Sequence, residues 1–176
     1  MGLAKKELRT KLDKIKILLT DIDGVLTTGG LYYTEEGMVM KEFYVRDGMG
    51  TTLLHKAGFQ TGVISTDVSP IAKTRAERLK MEFIYTGIWE KDKALDEICT
   101  QTKLTFENIA FIGDDVNDLA ILKKVGFAAC PKDASDEVKE LAHYICKKNG
   151  GKGAYREIAD LILKNHKVKK NEKTNL

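Results

Sequence analysis

The sequence predicts an α/β fold, a Rossmann-like parallel sheet with helices on both faces, a protruding β-hairpin and no cap domain. Three observations lead to this prediction. Short, mostly apolar runs alternate with helix-like segments along the chain, as the doubly covered strands of a parallel sheet require. Polar residues follow several of these runs directly, at the strand ends where such sheets carry their active sites. The length of 176 residues suits one domain.

The first half of the chain supplies the hairpin and the first strands. Spaced leucines among charged residues predict a helix over 2–14, and the mostly apolar run over 15–20 predicts a buried strand. Two strand-like runs flank a turn that contains Gly37, which predicts a β-hairpin over about 30–45. A helix is expected over 50–57, where a glycine follows its last residue.

The second half continues the alternation. Ser69 followed by Pro70 predicts the start of a helix that runs to about residue 79, because proline is favoured in the first helical turn. The remaining apolar runs predict strands over 61–64, 83–85, 109–112, 127–129 and 144–145. The segments between and after them predict helices over 91–102, 117–125, 135–142 and 154–164.

Charge is concentrated at the C-terminus, which bounds the domain. The net charge is +3, but the last 13 residues hold five Lys and one Glu, so the other 163 residues carry −1. We therefore predict one domain over 1–163 and a basic, flexible tail over 164–176. A slightly acidic body is not that of a nucleic-acid-binding protein, and no apolar run approaches the ~20 residues of a membrane span. Neither nucleic acid nor membrane is expected as a partner.

The cysteines indicate a reducing compartment. Cys99, Cys130 and Cys146 are odd in number and widely spaced, with no CxxC pair. The N-terminal segment is charged throughout and lacks the apolar stretch of a secretory signal. We therefore expect a cytoplasmic protein with reduced thiols.

Acidic clusters follow two of the predicted strands. Asp21 and Asp23 follow the first strand, and Asp114, Asp115 and Asp118 follow the strand predicted over 109–112. Five carboxylates at one sheet edge repel one another unless a hard cation lies between them. Mg²⁺ suits a few carboxylates together with water and a phosphate. The sequence therefore predicts a magnesium site.

Two other interpretations of these aspartates are possible, a turn or helix cap and an EF-hand. A single Asp after a strand is most often a turn residue or a helix cap, but two such clusters favour a shared site. An EF-hand would need flanking helices and a Glu at the twelfth loop position, and counting from Asp21 that position is Tyr32. The EF-hand interpretation is therefore excluded.

Groups suited to phosphate are predicted at the same edge. Ser65 and Thr66 end the second strand, and Lys91 begins a helix after the third. A hydroxyl, a helix N-terminus and a lysine that converge on one edge bind phosphoryl oxygens well. Each feature is weak alone, since a strand-end serine is commonly a cap and a helix-start lysine is commonly solvated.

Together the motifs resemble those of the haloacid dehalogenase superfamily, which fix residue type, order and strand placement. The matching residues are 21–27 (DIDGVLT), Ser65, Lys91 and 113–118 (GDDVND). The resemblance implies a phosphatase in which Asp21 attacks phosphorus and becomes an aspartyl phosphate. It also implies that Asp23 protonates the leaving oxygen and then activates the water that hydrolyses the intermediate.

Charge neutralisation is the main requirement of such chemistry, because phosphoryl transfer depends on positioning and on screening negative charge. We expect Mg²⁺ to be held by Asp21, Asp114 and the backbone carbonyl of Asp23. Asp115 and Asp118 are expected to orient the lysine of the third motif or a metal-bound water.

The motif spacing leaves no room for a cap. Thr27 to Ser65 spans 38 positions and Ser65 to Lys91 spans 26, which the hairpin, the helices and one strand fill. Domains begin at roughly 50 residues. Either the substrate is large, or another subunit completes the site, and we expect oligomerisation through the hairpin.

A closer resemblance is to the capless phosphatases of the 3-deoxy-D-manno-octulosonate 8-phosphate type, which implies a homotetramer and a sugar-acid phosphate substrate. Their substrate loop resembles 43–50 (FYVRDGMG), their helix 72–79 (AKTRAERL) and their C-terminal segment 150–163, which approaches a neighbouring subunit's site. The implied substrate-binding residues are Tyr44, Val45, Arg46, Asp47, Gly48, Arg75 and Lys152. The cationic ones among them could pair with the sugar's carboxylate.

Two departures leave the substrate open. Thr66 and Asp67 stand where the octulosonate enzymes usually have Gly-Arg, and Thr52 stands at a basic position of their substrate loop. The acidic Asp67 resembles relatives that act on nonulosonate 9-phosphates, and also the phosphatase-like domain fused to some acylneuraminate cytidylyltransferases. A nonulosonate 9-phosphate is therefore the alternative substrate.

An alternative of another class is a non-catalytic receiver-like or oligomerisation module. A receiver domain is also a parallel α/β fold with an acidic Mg²⁺ site and a lysine. Its phospho-accepting Asp follows the third strand, however, whereas here the second acidic cluster follows the fourth. The order of the motifs therefore favours the enzyme.

Overall fold

The computed structural model describes residues 4–174, with side chains described through residue 166. The strands are β1 (Ile17–Thr20), β2 (Tyr32–Thr34), β3 (Gly37–Met40), β4 (Gln60–Ser65), β5 (Phe83–Thr86), β6 (Ile109–Ile112), β7 (Phe127–Cys130) and β8 (Tyr144–Ile145). Six of them form one parallel sheet in the order β5-β4-β1-β6-β7-β8. Because β1 is central, residues that follow it lie between those that follow β4 and β6.

Helices connect the strands and cover the sheet. They are α1 (Lys5–Leu12), α2 (Val45–Lys56), α3 (Pro70–Arg78), α4 (Lys91–Thr102), α5 (Leu119–Lys124), α6 (Asp136–Leu141) and α7 (Ala154–Thr174). Short 3-10 turns precede β6 and α5. No helix within the described residues combines the length and apolar character that crossing a bilayer requires.

The core lies on both faces of the sheet, and β1 shows how the sequence produces this. Leu18 belongs to one apolar cluster, whereas Ile17 and Leu19 belong to the other, since side chains alternate across a strand. Helices α1, α2, α3 and α7 contribute to the first cluster, and α4, α5 and α6 to the second. All three β1 side chains are fully buried, which explains why this strand is a continuous apolar run.

This architecture confirms the predicted fold class. Between β1 and β4 the chain forms only the hairpin and α2, and between β4 and β5 only α3, so the described residues contain no cap domain. The helix predicted over 91–102 and the strands predicted over 109–112 and 144–145 have the predicted bounds.

Helix α2 begins at Val45, earlier than the predicted start at residue 50, and the second hairpin strand is shorter than predicted. The predicted start of α2 was too late because the segment contains Gly48 and Gly50, and glycine is a poor helix former. Both glycines are buried where α2 meets its neighbours. A Cβ atom on Gly50 would lie 3.2 Å from the Cβ of Ala159, and one on Gly48 would lie 2.9 Å from Nη2 of Arg75. Close packing therefore outweighs helix propensity here.

Helix α7 continues to Thr174, beyond the predicted end at residue 164, so the segment predicted to be a flexible tail is helical through Thr174. The last two residues of that segment lie outside the described residues. Asn165 donates a 2.7 Å hydrogen bond to Asp13, and the ring of His166 packs edge-on against Phe59 at 5.2 Å. These contacts tie the helix to the body of the domain.

The hairpin is a separate two-stranded antiparallel sheet, β2 paired with β3. Its apolar side chains are largely exposed, in contrast to those of the main sheet: Leu31, Tyr32, Tyr33, Val39 and Met40. The hairpin therefore gains little from burial within this chain.

The hydrogen bond between Asn165 and Asp13 gives a first prediction. Asn165→Ala is expected to lower the free energy of unfolding by about 1 kcal/mol, because it removes a hydrogen bond to a charged group. In an Asp13→Ala background the same substitution should cost much less, since its partner is already absent. Urea unfolding of the four proteins measures this. An equal cost in both backgrounds would contradict the contact.

Candidate active site

A pocket of about 260 Å³ opens at the carboxyl ends of the central strands. Five of its ten lining residues are aspartates: Asp21, Asp23, Asp114, Asp115 and Asp133. Asp21 directly follows β1, and its backbone N–H donates to Ile112 of β6 at 2.9 Å, which continues the strand pairing into the site. The sheet order thus brings together acidic residues that are distant in sequence.

Three of the carboxylates could share a cation. One oxygen from each of Asp21, Asp114 and Asp118 lies within 4.8 Å of the others. Burial, together with the charges of Asp21, Asp118 and Asp115, raises the pKa of Asp114 to about 8. A positive ion would remove that cost, so the residues present fit a hard divalent cation.

Gly24 makes this arrangement possible. Its φ is +78°, a left-handed conformation that favours glycine. A Cβ atom at this position would overlap the carboxylate of Asp114. The glycine of the first motif is therefore required both by the turn and by the close approach of Asp114.

Lys91 lies at the centre of the site and has no solvent exposure. Its Nζ is 2.6 Å from Oδ2 of Asp21 and 2.6 Å from Oδ1 of Asp118. Burial alone would lower the pKa of Lys91, but the two carboxylates outweigh it and raise the pKa. Asp118 also accepts the backbone N–H of Asp114 through Oδ2, at 2.9 Å. Asp118 thus orients both the lysine and the loop that carries Asp114.

Asp23 faces a partner that the sequence did not indicate. The ammonium group of Lys41 lies 2.8 Å from Oδ1 and 2.6 Å from Oδ2 of Asp23, and 2.6 Å from Oδ2 of Asp67. Burial opposes the charge of Lys41, but its hydrogen bonds to both carboxylates outweigh burial and raise its pKa. Lys41 was missed because it follows an exposed hairpin strand, where a lysine is ordinarily solvated.

The other predicted phosphate and acidic groups lie at the same edge. Ser65 is the last residue of β4, is buried, and accepts the backbone N–H of Asp67 at 3.2 Å. Thr66 lines the acidic pocket. Asp115 also lines it, and its carboxylate accepts the N–H of Val116 at 2.8 Å, which caps the 3-10 turn before α5. Asp115 is exposed, so it is an outer residue of the site.

Three predicted substrate-binding residues lie in a different place. Tyr44, Arg46 and Lys152 line a second groove of about 510 Å³ along α7, which we call the basic groove. Its other charged lining residues are mostly cationic and include Lys147, Lys148, Arg156 and Lys164. Among the described residues, this groove and the acidic pocket have no lining residue in common. Within one chain these residues therefore line a groove separate from the carboxylates.

The other predicted substrate-binding residues lie in α2 and α3, and most of them contact neighbouring elements of the domain. Asp47 is buried, and its Oδ1 accepts the backbone N–H of Arg156 at 2.8 Å, so it caps the start of α7. Burial raises the pKa of Asp47 to about 6. Gly48 packs close to Arg75, whose guanidinium lies 5.4 Å from the ring centroid of Phe43. Val45 is 78% exposed.

The C-terminal glycines contact the chain's own first motif. Gly151 N–H donates to the carbonyl of Val25 at 2.9 Å, and Gly150 N–H donates to Asp133 at 2.9 Å. A Cβ atom on Gly150 would overlap the carbonyl of Gly24. Within its own chain this segment therefore packs against the loop that carries the first motif. Sequence reasoning also missed Asp133, which lacks a recognisable motif.

The chain is similar to known hydrolases over most of its length. A family model described as haloacid dehalogenase-like hydrolase matches residues 64–158, more than half of the chain. A Haemophilus influenzae protein named 3-deoxy-D-manno-octulosonate 8-phosphate phosphatase KdsC is 39% identical over 89% of this chain and 87% of its own length. The protein of that name from Yersinia pestis is 34% identical over 85% of this chain and 80% of its own.

Solved structures agree with the fold. The cobalt-bound octulosonate phosphatase of Haemophilus influenzae superposes with a TM-score of 0.85 at 39% identity, over 88% of this chain and 91% of its own. A Moraxella catarrhalis 3-deoxy-D-manno-octulosonate 8-phosphate phosphatase, solved with magnesium, phosphate and KDO, gives a TM-score of 0.89 at 33% identity. That match covers 92% of this chain and 93% of the other.

The acidic cluster gives a second prediction. Asp114→Asn should raise the melting temperature in EDTA, because it removes a carboxylate that burial and like charges disfavour. The same variant should lose most of the stabilisation that Mg²⁺ gives the wild type, about 2.7 kcal/mol at a concentration of 100 Kd. Thermal unfolding with and without Mg²⁺ measures both effects. An equal Mg²⁺ shift in the two proteins would show that the cation binds elsewhere.

Proposed function

The chain belongs to the haloacid dehalogenase-like hydrolases, and from that premise we propose a Mg²⁺-dependent phosphatase for sugar-acid phosphates. Its substrate is the terminal phosphate monoester of a 3-deoxy-2-ulosonic acid phosphate, of the octulosonate 8-phosphate type. The observation that carries the proposal is Asp21, a carboxylate held by a fully buried lysine at the mouth of an acidic pocket. The names of the Haemophilus and Yersinia relatives support the substrate class.

Asp21 is the proposed nucleophile. Its Oδ1 accepts the N–H of Ile22 at 2.6 Å and its Oδ2 accepts from Lys91 at 2.6 Å, so the carboxylate has one orientation. A fixed carboxylate reacts without first losing rotational freedom. As the bond from Asp21 to phosphorus forms, the bond from phosphorus to the sugar oxygen breaks, and an aspartyl phosphate results.

Asp23 moves the protons in both steps. It lies two residues after the nucleophile on the same loop and lines the same pocket. It gives a proton to the leaving sugar oxygen in the first step and takes one from the attacking water in the second. The sum of the two steps is an ester plus water converted to an alcohol plus phosphate, and both aspartates return to their starting state.

Positive charge is required because the nucleophile and the phosphate are both anionic. Lys91 supplies one charge next to Asp21, and Ser65 offers a hydroxyl at the end of the neighbouring strand. Mg²⁺, held by Asp21, Asp114 and the backbone carbonyl of Asp23, would neutralise the remaining charge when bound. Asp118 keeps Lys91 in place.

We further propose that the enzyme is a homotetramer in which each site is completed by a neighbour. Two observations support this. The hairpin exposes contiguous apolar side chains such as Tyr33, which is 65% exposed and so suited to an interface. The basic groove with Arg46 and Lys152 shares no lining residue with the chain's own acidic pocket, so these cations can pair with a substrate carboxylate at another subunit's site.

A nonulosonate 9-phosphate is the second candidate substrate. Asp67 favours it, because this carboxylate directly follows Thr66, which lines the acidic pocket, and is ion-paired with Lys41. An acidic rim suits hydroxyl groups of a longer sugar better than it suits the sugar's own carboxylate. Octulosonate 8-phosphate remains the first candidate because of the named relatives.

The cytoplasm is the proposed location. Cys99, Cys130 and Cys146 all lie within the described residues and are all unpaired. Cys130 belongs to the apolar cluster on one face of the sheet and Cys146 to the cluster on the other. Buried thiols that do not pair are typical of a reducing compartment.

The nucleophile gives the third prediction. Asp21→Asn should lower kcat for phosphate release by at least about 10³-fold, because residues that form a covalent intermediate are not replaced by neighbouring groups. The measurement is phosphate release from octulosonate 8-phosphate, a nonulosonate 9-phosphate and an aryl phosphate, each with Mg²⁺. Lys14→Met is a surface control, since among the residues described the Lys14 side chain pairs only with the exposed Glu107, at 2.8 Å.

The same assays decide between the candidate functions. The sugar-acid phosphate with the higher kcat/KM identifies the substrate. If neither exceeds the aryl phosphate, the substrate class is wrong although the chemistry holds. Stable phosphorylation of the wild type without turnover would instead support a receiver-like module.

A further inference from the structure

Lys41 has surroundings unlike those of other hairpin residues. It follows β3, whose residues Val39 and Met40 are more than half exposed, yet its own side chain is only 1% exposed. Its ammonium group lies within 2.8 Å of three carboxylate oxygens, two on Asp23 and one on Asp67. An ammonium group has three protons to donate, and here three acceptors meet them.

These contacts constrain Asp23 closely. Both oxygens of its carboxylate accept from Lys41, and Oδ1 is also 3.3 Å from the hydroxyl of Thr27. The Asp23 side chain is 33% exposed, so without Lys41 it would face solvent on a loop and could change rotamer. Lys41 therefore fixes the direction in which this carboxylate points.

Lys41 is itself held by a second group. Oδ2 of Asp67 accepts from Lys41 at 2.6 Å and from the hydroxyl of Ser69 at 2.6 Å, and Oδ1 accepts the backbone N–H of Ser69 at 2.9 Å. Ser69 precedes the first residue of α3. A continuous set of hydrogen bonds thus runs from the start of α3 through Asp67 and Lys41 to Asp23.

We propose that Lys41 is a positioning residue for the reaction, which holds the Asp23 carboxylate where it exchanges a proton with the substrate oxygen, and that Asp67 holds Lys41. The inference rests on the proposed phosphatase function. In the step concerned, Asp23 enters as the carboxylic acid, with one oxygen bearing the proton and the other accepting from Lys41. The bond from Asp21 to phosphorus forms, the bond from phosphorus to the leaving oxygen breaks, and the proton moves from Asp23 to that oxygen, which leaves Asp23 as the carboxylate. Misdirection of Asp23 slows this step in proportion to how much the leaving oxygen needs the proton.

That dependence separates positioning from a merely structural role. A sugar alkoxide is a poor leaving group and needs a proton as the bond breaks, whereas 2,4-dinitrophenolate leaves readily without one. Loss of positioning therefore lowers kcat/KM for the sugar-acid phosphate far more than for 2,4-dinitrophenyl phosphate. Loss of folding or of metal binding lowers both equally.

The experiment compares kcat/KM for these two substrates in the wild type, Lys41→Met, Lys41→Arg and the control Lys14→Met. The sugar-acid phosphate is whichever one the wild type hydrolyses faster. For Lys41→Met we expect a loss of about 10²-fold with the sugar-acid phosphate and less than about 5-fold with the dinitrophenyl ester. Lys41→Arg should recover part of the loss, because a guanidinium can still bridge the two carboxylates. The control should match the wild type with both.

A double substitution gives an independent test. In an Asp23→Asn background, Lys41→Met should cause no further loss with either substrate, because Lys41 acts through Asp23. Circular dichroism establishes which variants fold. If Lys41→Met does not fold, Lys41→Arg and Asp67→Asn replace it, and each should show the same substrate-dependent loss to a smaller extent.

Three results would overturn the proposal. Equal losses with the two substrates would make Lys41 a structural residue, and additive losses in the Asp23→Asn background would mean that it acts independently of Asp23. An unchanged kcat/KM in Lys41→Met would show that Lys41 has no role in the reaction. A wild type that hydrolyses neither substrate overturns the proposed function as well, and so is distinguished from failure at Lys41 alone.

Discussion

The buried ion pair network of Lys91 with Asp21 and Asp118 is the interaction on which the site depends. An ammonium group without solvent access is costly unless well-placed carboxylates surround it, and here two lie at 2.6 Å. The three residues come from the end of β1, the start of α4 and the turn before α5. Only a parallel sheet with β1 between β4 and β6 brings these points together. Removing both carboxylates would leave the buried ammonium group without compensation, and removing one would leave it a single partner. The network therefore stabilises the fold and orients the proposed nucleophile at once.

Lys41 repeats this arrangement at the outer side of the pocket. Two lysines, one from α4 and one from the segment after the hairpin, each lie between two aspartates. Lys91 holds the proposed nucleophile, and Lys41 contacts the residue proposed to move protons. Asp114 is the carboxylate whose pKa burial and its acidic neighbours raise most clearly, to about 8. A bound divalent cation would therefore offset the unfavourable burial and charge repulsion of the Asp114 carboxylate.

The sequence predicted the sheet and the inner site well, for a definite physical reason. Strands buried on both faces are apolar runs, so β1 and β6 were visible, and the aspartates that follow them had to meet at one edge. Order along the chain does not reveal the direction of a side chain, however. Asp47 was expected at the substrate, and nothing in the local sequence indicated that its carboxylate also accepts the backbone N–H of Arg156 at the start of α7. The role of Lys41 could not be predicted, since its partners lie 18 and 26 positions away in sequence and nothing local indicates that it is buried.

In the proposed mechanism the Asp21 carboxylate, held by Lys91, forms the covalent intermediate. The most direct measurement is mass spectrometry of peptides from enzyme quenched in acid during turnover with Mg²⁺ and substrate. We expect a phosphoryl group on Asp21, labile to hydroxylamine, which disappears once the substrate is consumed. A phosphoryl group on another residue, or steady turnover with no phosphorylated peptide at any time, would contradict it.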